Sequence, residues 1–200
     1  MKVIGLSGKM GTGKSTLAEE LKKLTGFAKF AFADAVKQEV NKYIGVPLEY
    51  CYQHKSWIWL VDRSYVVDGV EYFPSEKYSM SVRDILQWWG TDVRRKQDPW
   101  YWTKQAQRKL HDLSDSGCPG VIIDDVRFEG EVRFIKDNGG LVVRVEPYDG
   151  WKPTPGAAAN HESEIALDRY KDWAANLRPQ FGELAREAEF IVKLFGLKET

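Results

Sequence analysis

The amino-acid sequence predicts an α/β fold in which a parallel core sheet is covered by helices on both faces. Short apolar runs, typical of buried strands, alternate along the chain with segments whose apolar residues recur at helical spacing. The first apolar run is followed by a glycine-rich turn and then by a helical segment, as in a βα unit. Repeated alternation of this kind is typical of a three-layer fold built on a parallel sheet.

Each element is assigned from its local pattern. Strands are predicted where apolar and β-branched residues cluster, at 1–6, 27–32, 120–127, 141–146 and, at the sheet edge, 171–176. Helices are predicted where apolar residues recur every three or four positions, at 15–24, 33–44, 100–113, 128–138 and 179–195. A further helix begins after Ser81, a candidate N-cap, and carries Arg83, Gln87 and Gly90 on one side.

The length of the chain suits a single domain over residues 1–200. Residues 46–79 read as an insertion, in which Asp68-Gly69 separates two β-branched and aromatic runs and predicts a type I′ β-hairpin. Residues 147–160 are rich in proline and glycine and are a candidate lid loop.

Composition excludes several classes of protein. Lysine plus arginine and aspartate plus glutamate number 29 each, so no basic surplus indicates binding to a nucleic acid polymer. The sequence contains neither an apolar run long enough to cross a bilayer nor a signal peptide, which favours the cytoplasm and no membrane partner. Cys51 and Cys118 are far apart and lack metal-ligand spacing, so we expect two thiols.

The strongest motif is the segment from Gly8 to Ser15, here called the phosphate loop. Gly8, Gly13, Lys14 and Ser15 fit the pattern G-x-x-x-x-G-K-[ST] and follow a predicted strand, which indicates the fold of the P-loop nucleoside triphosphatases. Its backbone N–H groups would form a nest for ATP phosphates, Lys14 would reach the β- and γ-phosphates, and Ser15 would bind Mg²⁺. The predicted ATP-binding residues are Gly8, Lys9, Met10, Gly11, Thr12, Gly13, Lys14, Ser15 and Thr16.

Two further regions lie where ligands bind in open parallel sheets, beyond the strand ends. Asp34 and Lys37 follow the second strand, where Asp34 is either a helix cap or a site residue. Asp124 and Asp125 end a β-branched run and are both candidates for the metal, with Arg127 at the same strand end. The competing interpretation of Arg127 is a salt bridge to one of these two aspartates.

The chain resembles the phage-type deoxynucleoside monophosphate kinases of the P-loop nucleoside monophosphate kinase superfamily. The segments that carry the resemblance are the phosphate loop, Phe32–Lys37, Arg83 with Leu86–Asp92, Asp124–Arg127 with Glu131, and His161–Glu164. The Arg-x-x-Leu-Gln-x-x-Gly-Thr-Asp block is the part that indicates this family. The sequence departs from the family where Val82 replaces a common proline and where Arg94-Arg95 replaces a usual Gly-Arg pair, so either Arg94 or Arg95 could be the functional arginine.

The resemblance implies transfer of the ATP γ-phosphoryl group to a nucleoside 5′-monophosphate, with the deoxy form favoured. It implies Lys14 and Arg127 as catalytic residues, Ser15 with Asp124 or Asp125 as metal ligands, and a cytoplasmic enzyme (in the host cytoplasm if phage-encoded) that could form a homodimer. The acceptor-binding residues that it implies are Asp34, Lys37, Arg83, Gln87, Trp88, Asp92, Arg95 and Glu131. One hypothesis on sugar choice is that Trp88 or Trp89 crowds the 2′ position.

Other readings keep the phosphate loop but change the function. A dephospho-CoA or phosphomevalonate kinase would phosphorylate a different acceptor, and Thr-Pro-Gly before Glu-Ser-Glu resembles the latter. A non-catalytic ATP-binding module would bind nucleotide and make no product. A GTPase switch is disfavoured, because the chain has neither Asp-x-x-Gly after a strand nor Asn-Lys-x-Asp.

Overall fold

A computed structural model describes residues 1–61, 64–72, 79–152, 162–180 and 182–197. The chain divides into two compact units: a first unit of residues 1–31 and 106–200, and a second unit of residues 32–105. The elements in chain order are β1 (Lys2–Ser7), α1 (Lys14–Thr25), β2 (Ala28–Phe30), α2 (Phe32–Ile44), α3 (Leu48–Gln53), β3 (Ile58–Leu60), β4 (Tyr65–Val67), β5 (Val70–Tyr72), β6 (Ser79–Ser81), α4 (Val82–Gln87), a π-helix (Trp88–Arg95), α5 (Tyr101–Asp115), β7 (Gly120–Val126), α6 (Glu129–Asp137), β8 (Leu141–Val145), α7 (Glu162–Ile165), β9 (Ala175–Leu177) and α8 (Leu184–Leu194).

The first unit is built on a parallel sheet whose described strands lie in the order β2-β7-β1-β8-β9. In the register of the central strand, Ile4 is opposite Ile122 of β7 and Leu141 of β8. The strands β7 and β8 both run parallel to β1. Because parallel strands end at the same edge of a sheet, their carboxyl ends meet where β1 runs into the phosphate loop. The predicted parallel core sheet is confirmed.

Helices cover both faces of this sheet. On one face Ile4 and Leu6 share a buried core with Leu17 of α1 and Ile191 of α8. On the other face α6 packs so closely that a Cβ atom at Gly5 would lie 2.5 Å from the Ile135 side chain. Adjacent strand residues point to opposite faces, so these contacts place helices on the two sides. The predicted three-layer α/β fold is confirmed.

The second unit contains the predicted insertion. Its hairpin is confirmed: β4 and β5 pair in antiparallel fashion, and Asp68 and Gly69 have φ angles of 51° and 80°. Positive φ at both central residues is the requirement of a type I′ turn. The second unit also holds α3, of six residues, and the antiparallel pair β3-β6, of three residue pairs, which the sequence did not predict because both are short.

Two predicted boundaries near the chain end were wrong. The edge strand, expected at 171–176, is β9 at Ala175–Leu177. Trp173, inside the expected range, precedes β9 and packs on Tyr170, with the two ring centroids 4.5 Å apart. The closing helix, expected from residue 179, begins at Leu184 because Gly182, with φ of 89°, interrupts the helical backbone.

Some expectations fall partly outside the described residues. Residues 153–161, most of the candidate lid, are among those that the structure does not describe, whereas residues 147–152 are described. Cys51 and Cys118 are free thiols, as expected. Among the described helices, none combines the length and apolarity that a bilayer crossing requires. The single-domain assignment stays a prediction.

Candidate functional site

The phosphate loop leaves β1 and enters α1 through glycines that no other residue could replace without strain. Gly8 has φ of 152° and Gly13 has φ of 90°. A Cβ atom at Gly8 would lie 2.3 Å from the backbone oxygen of Val145, closer than any real contact. The loop therefore folds tightly against the end of β8.

Lys14 is buried within this loop, with 8% of its surface exposed. Its Nζ atom donates to the backbone oxygens of Gly8 at 2.8 Å and Lys9 at 2.7 Å. Burial, followed by the nearby Arg127 guanidinium, lowers the pKa of Lys14 from 10.5 to about 8. Glu164, Asp124 and Asp125 act in the opposite direction and raise that pKa, so these charges surround the same ammonium group.

The two candidate metal ligands lie where β7 is irregular. Gly5 is opposite Ile123 but Ser7 is opposite Val126, so β7 carries one extra residue across Asp124 and Asp125. Bulges of this kind redirect side chains and are common beside active sites. Asp124 is buried, and its carboxylate lies 3.7 Å from Nζ of Lys29.

The donor chemistry of this region fits Mg²⁺. Ser15 offers an exposed hydroxyl at the start of α1, and the two aspartates offer carboxylate oxygens near Lys14. Oxygen donors with several remaining water ligands are what Mg²⁺ prefers, so a dedicated cage is not needed. Among the described residues no cluster of three or more His, Cys, Asp or Glu could hold a metal alone.

Among the residues that the structure describes, the ion-pair partner of Arg127 is Glu164, and not Asp124 or Asp125. Its guanidinium contacts the carboxylate of Glu164, and its Nη1 also donates to the backbone oxygen of Ser163 at 3.3 Å. Its backbone N–H donates to Glu131 at 2.7 Å. Glu131 is buried and also accepts from the Phe128 N–H, so it caps α6; its predicted contact with acceptor stays a prediction.

The segments on either side of residues 153–161 both contact the tip of the phosphate loop. Nε1 of Trp151 donates to the backbone oxygen of Met10 at 3.1 Å. The Lys9 ammonium donates to the backbone oxygen of Glu164 at 2.6 Å and to Asp168 at 2.5 Å. Sequence reasoning missed Trp151 and Asp168 and left the role of Glu164 open, because no local pattern relates residues more than 140 positions apart.

In the second unit, Asp34 and Lys37 are brought together as predicted, and Tyr52 joins them. Asp34 lies in the first turn of α2, and its Oδ1 accepts from Lys37 at 2.8 Å and from the Tyr52 hydroxyl at 2.9 Å. The Lys37 ammonium also lies 3.8 Å from the centre of the Tyr52 ring. Burial, followed by the bond to Asp34, raises the pKa of Tyr52 to about 12, so it remains a hydrogen-bond donor at neutral pH. Tyr52 lies in the insertion, where sequence reasoning found no chemistry.

The remaining acceptor candidates lie on α4 and the π-helix. Ser81 caps α4 as predicted by accepting from the Asp84 N–H at 3.1 Å, and Arg83 and Gln87 are one α-helical turn apart. From Trp88 onward the helix is π-type, with hydrogen bonds to the fifth residue, which changes the side-chain spacing. A Cβ atom at Gly90 would lie 3.5 Å from the Val36 side chain, so Gly90 faces α2; its alignment with Arg83 and Gln87 stays a prediction.

The π-helix separates residues that the sequence left as alternatives. Trp89 is fully buried and donates from Nε1 to Glu39 at 2.9 Å, which leaves Trp88, only partly buried, for the sugar hypothesis. Arg94 is buried and bonds to Glu39 and to Asp68 of the hairpin, each at 2.7 Å. Arg95 is partly exposed, whereas Asp92 is exposed and pairs with Lys96 at 2.5 Å. Arg94 is thus a structural residue, and Arg95 stays the candidate for acceptor binding.

Comparison with known proteins gives both a family and a fold. The family model for deoxynucleotide monophosphate kinase matches residues 60–167, more than half of the chain. A protein of Acanthamoeba polyphaga mimivirus, named "Putative deoxynucleotide monophosphate kinase", is 27% identical over 187 residues, which cover 86% of each chain.

Two solved structures share the fold at low sequence identity. TT1252 from Thermus thermophilus has a TM-score of 0.55 and is 17% identical, with 98% of this chain and 97% of that one covered. A sugar kinase from Janibacter sp. HTCC2649 has a TM-score of 0.51 and is 11% identical, with 98% and 94% covered. These likenesses show the architecture alone.

We expect Arg94→Met to destabilise the second unit without any ligand being involved. Removing one partner of a buried ion pair lowers the free energy of unfolding by about 3–5 kcal/mol. Asp68 is exposed and can be hydrated without Arg94, so we expect a loss near the lower end, about 3 kcal/mol. Urea unfolding followed by tryptophan fluorescence would measure the loss. The matched control is Lys96→Met, which removes an exposed cation from the same helix and should cost less than about 1 kcal/mol. Equal losses for the two variants would contradict the structural assignment of Arg94.

Proposed function

From the premise that this chain belongs to the deoxynucleotide monophosphate kinase family, we propose that it transfers the γ-phosphoryl group of ATP to a nucleoside 5′-monophosphate. An oxygen of the acceptor phosphate attacks the γ-phosphorus in line, the bond to the β–γ bridging oxygen breaks, and ADP and a nucleoside diphosphate leave. The observation that carries the proposal is the phosphate loop closed around the Lys14 ammonium, with Arg127 near enough to lower the pKa of that group.

In this proposal the first unit binds ATP. The backbone N–H groups of residues 8–16 hold the phosphates, and Lys14 exchanges its carbonyl contacts for phosphate oxygens. Arg127 offsets the charge that develops on the transferring group, a role that suits a partly exposed guanidinium with several donors. Phosphoryl transfer depends mainly on such positioning and charge stabilisation, and needs no covalent intermediate.

Ser15 and Asp124 or Asp125 would hold Mg²⁺. The ion would supply charge neutralisation between the β- and γ-phosphates. Both acids stay candidates, because both lie at the bulge in β7 and both act on the Lys14 ammonium.

The second unit would bind the acceptor. The Lys37 ammonium contacts the Asp34 carboxylate and the Tyr52 ring, which fix its position. The phosphate of the acceptor would therefore bind a preorganised cation. Arg83, Gln87 and Arg95 add a second set of donors on α4 and the π-helix, and π-type turns are frequent at functional sites. The family supports a preference for the deoxy form, and crowding of the 2′ position by Trp88 is its proposed cause.

An acceptor screen tests the function directly. Purified protein with ATP and Mg²⁺ should form ADP together with a diphosphate from at least one deoxynucleoside monophosphate. Turnover only with dephospho-CoA or phosphomevalonate would replace the acceptor and keep the kinase. ATP binding without any product would favour the non-catalytic module. Equal turnover of ribose and deoxyribose forms would count against the Trp88 hypothesis.

Lys14→Met should lower kcat by at least about 100-fold, because it removes a preorganised cation from the developing charge. The matched control is Lys22→Met, an exposed lysine of the same helix, whose activity should change by less than about twofold, as is usual for surface substitutions. A Lys14→Met enzyme with full transfer activity would show that the phosphate loop is not the catalytic centre.

The lowered pKa of Lys14 predicts proton uptake when ATP binds. Below a pH of about 8 the ammonium is charged before binding; above it, the group is mostly neutral and must regain a proton to face the phosphates. Affinity for ATP should therefore fall as the pH rises from 7 to 9. Calorimetry at pH 8.5, in two buffers of different ionisation enthalpy, should detect the uptake in the wild type and none in Lys14→Arg, whose guanidinium stays protonated. An affinity of the wild type for ATP that does not change with pH would contradict proton uptake by Lys14.

Tyr52→Phe should weaken acceptor binding and leave ATP binding unchanged. The hydroxyl bond to Asp34 is lost while the ring over Lys37 remains, so the KM for the acceptor should rise by about 2- to 10-fold, the equivalent of a typical hydrogen bond. Tyr52→Leu removes the ring as well and should raise this KM further. Steady-state kinetics with each substrate varied would measure both. Unchanged acceptor KM values in both variants would exclude Tyr52 from the site.

A further inference from the structure

One carboxylate in the first unit joins Arg127 to the phosphate loop. Only 6% of the Glu164 side chain is exposed. Its Oε1 accepts from Nη1 of Arg127, and its Oε2 accepts from the backbone N–H of Met10 at 3.2 Å. A charged side chain is rarely this buried without a specific set of partners. Here both partners are hydrogen-bond donors, one on the loop and one on the predicted catalytic arginine.

These contacts restrain Arg127 at both of its ends. Its backbone N–H is held by Glu131 at 2.7 Å, and its guanidinium is held by Glu164 and the Ser163 oxygen. With 29% of its side chain exposed, the guanidinium stays within reach of an anion. Arginine loses rotamer freedom when it is ordered, and here that ordering is complete before any substrate binds.

The same short helix also holds the loop itself. Lys9 donates to the backbone oxygen of Glu164 and to Asp168, so α7 and the residues after it are attached to the loop tip through side chain and backbone alike. The distance between Arg127 and the loop is therefore set through Glu164 and not by the strand end alone.

We propose that Glu164 is a positioning residue for phosphoryl transfer: its carboxylate fixes the Arg127 guanidinium relative to the phosphate loop. This inference rests on the proposed function, in which Arg127 acts on the transferring group. The Arg127 guanidinium and the Met10 N–H are both donors, and each is bonded to a different oxygen of Glu164. A carboxylate fits this arrangement because both of its oxygens are acceptors. Glutamine has one acceptor oxygen, and its amide would turn a donor toward one of the two donors.

A double-mutant cycle separates positioning from an independent role. The wild type, Glu164→Gln, Arg127→Met and the double variant are compared by kcat and KM, with the acceptor identified by the screen. Glu164→Gln should lower kcat by about 10- to 100-fold, with a smaller effect on the KM for ATP, because small misplacements of a catalytic group have effects of this size. The double variant should be no slower than Arg127→Met, since Glu164 acts through that arginine.

Controls exclude a merely structural effect. Glu162→Gln changes an exposed carboxylate of the same helix and should leave kcat within about twofold. Melting temperatures of all variants test folding, and Glu164→Asp, which keeps both oxygens, replaces Glu164→Gln if the latter does not fold. If both variants fold, Glu164→Asp should retain more activity than Glu164→Gln. If only Glu164→Asp folds, its combination with Arg127→Met should be no slower than Arg127→Met itself.

The outcomes are distinct. An inactive wild type toward every acceptor overturns the proposed function and this inference with it. An active wild type in which the two losses multiply, or in which Glu164→Gln keeps at least half of the wild-type kcat, overturns the inference alone. A Glu164→Gln variant with higher activity would show that the carboxylate holds Arg127 away from the reaction, the opposite of the proposal.

Discussion

The arrangement of the first unit depends on keeping two cations side by side. The Lys14 ammonium is buried against backbone oxygens, and Arg127 is close enough to lower its pKa. Two neighbouring positive charges repel one another unless anions lie nearby. Glu164, Asp124 and Asp125 supply that negative charge. Glu164 lies on α7, whereas the two aspartates lie at the bulge in β7. A bound polyphosphate would add negative charge where the cations are concentrated and would stabilise the same arrangement.

Lys14 and Arg94 are both buried, but their partners differ. Arg94 is bonded to the carboxylates of Glu39 and Asp68, so its charge is neutralised within the protein. The hydrogen-bond partners of Lys14 are neutral carbonyl groups, which satisfy its N–H donors without cancelling its charge. The Lys14 ammonium therefore keeps its attraction for an incoming anion, whereas the charge of Arg94 stabilises the second unit.

Sequence reasoning captured what local pattern encodes. The alternation of apolar runs gave the parallel sheet, Asp68-Gly69 gave the hairpin, and the glycines with Lys14 gave the loop. It missed the contacts of Tyr52, Trp151 and Glu164, which depend on tertiary structure and leave no periodicity in the chain. It also could not choose between Asp124 and Asp125, because a bulge removes the strict alternation of strand faces, nor could it foresee a π-helix at Trp88. The limits arise where geometry departs from the regular repeat.

Arg94 joins the hairpin to α2 through two carboxylates, one from each. The resemblance described above places glycine where this chain has Arg94, and glycine neither fills the space nor neutralises two carboxylates. Glycine there would leave Glu39, beside Trp89 and Tyr101, without its arginine partner. The charges of Glu39 and Asp68 are therefore matched to Arg94, and all three residues would have to change together for the hairpin to stay attached to α2.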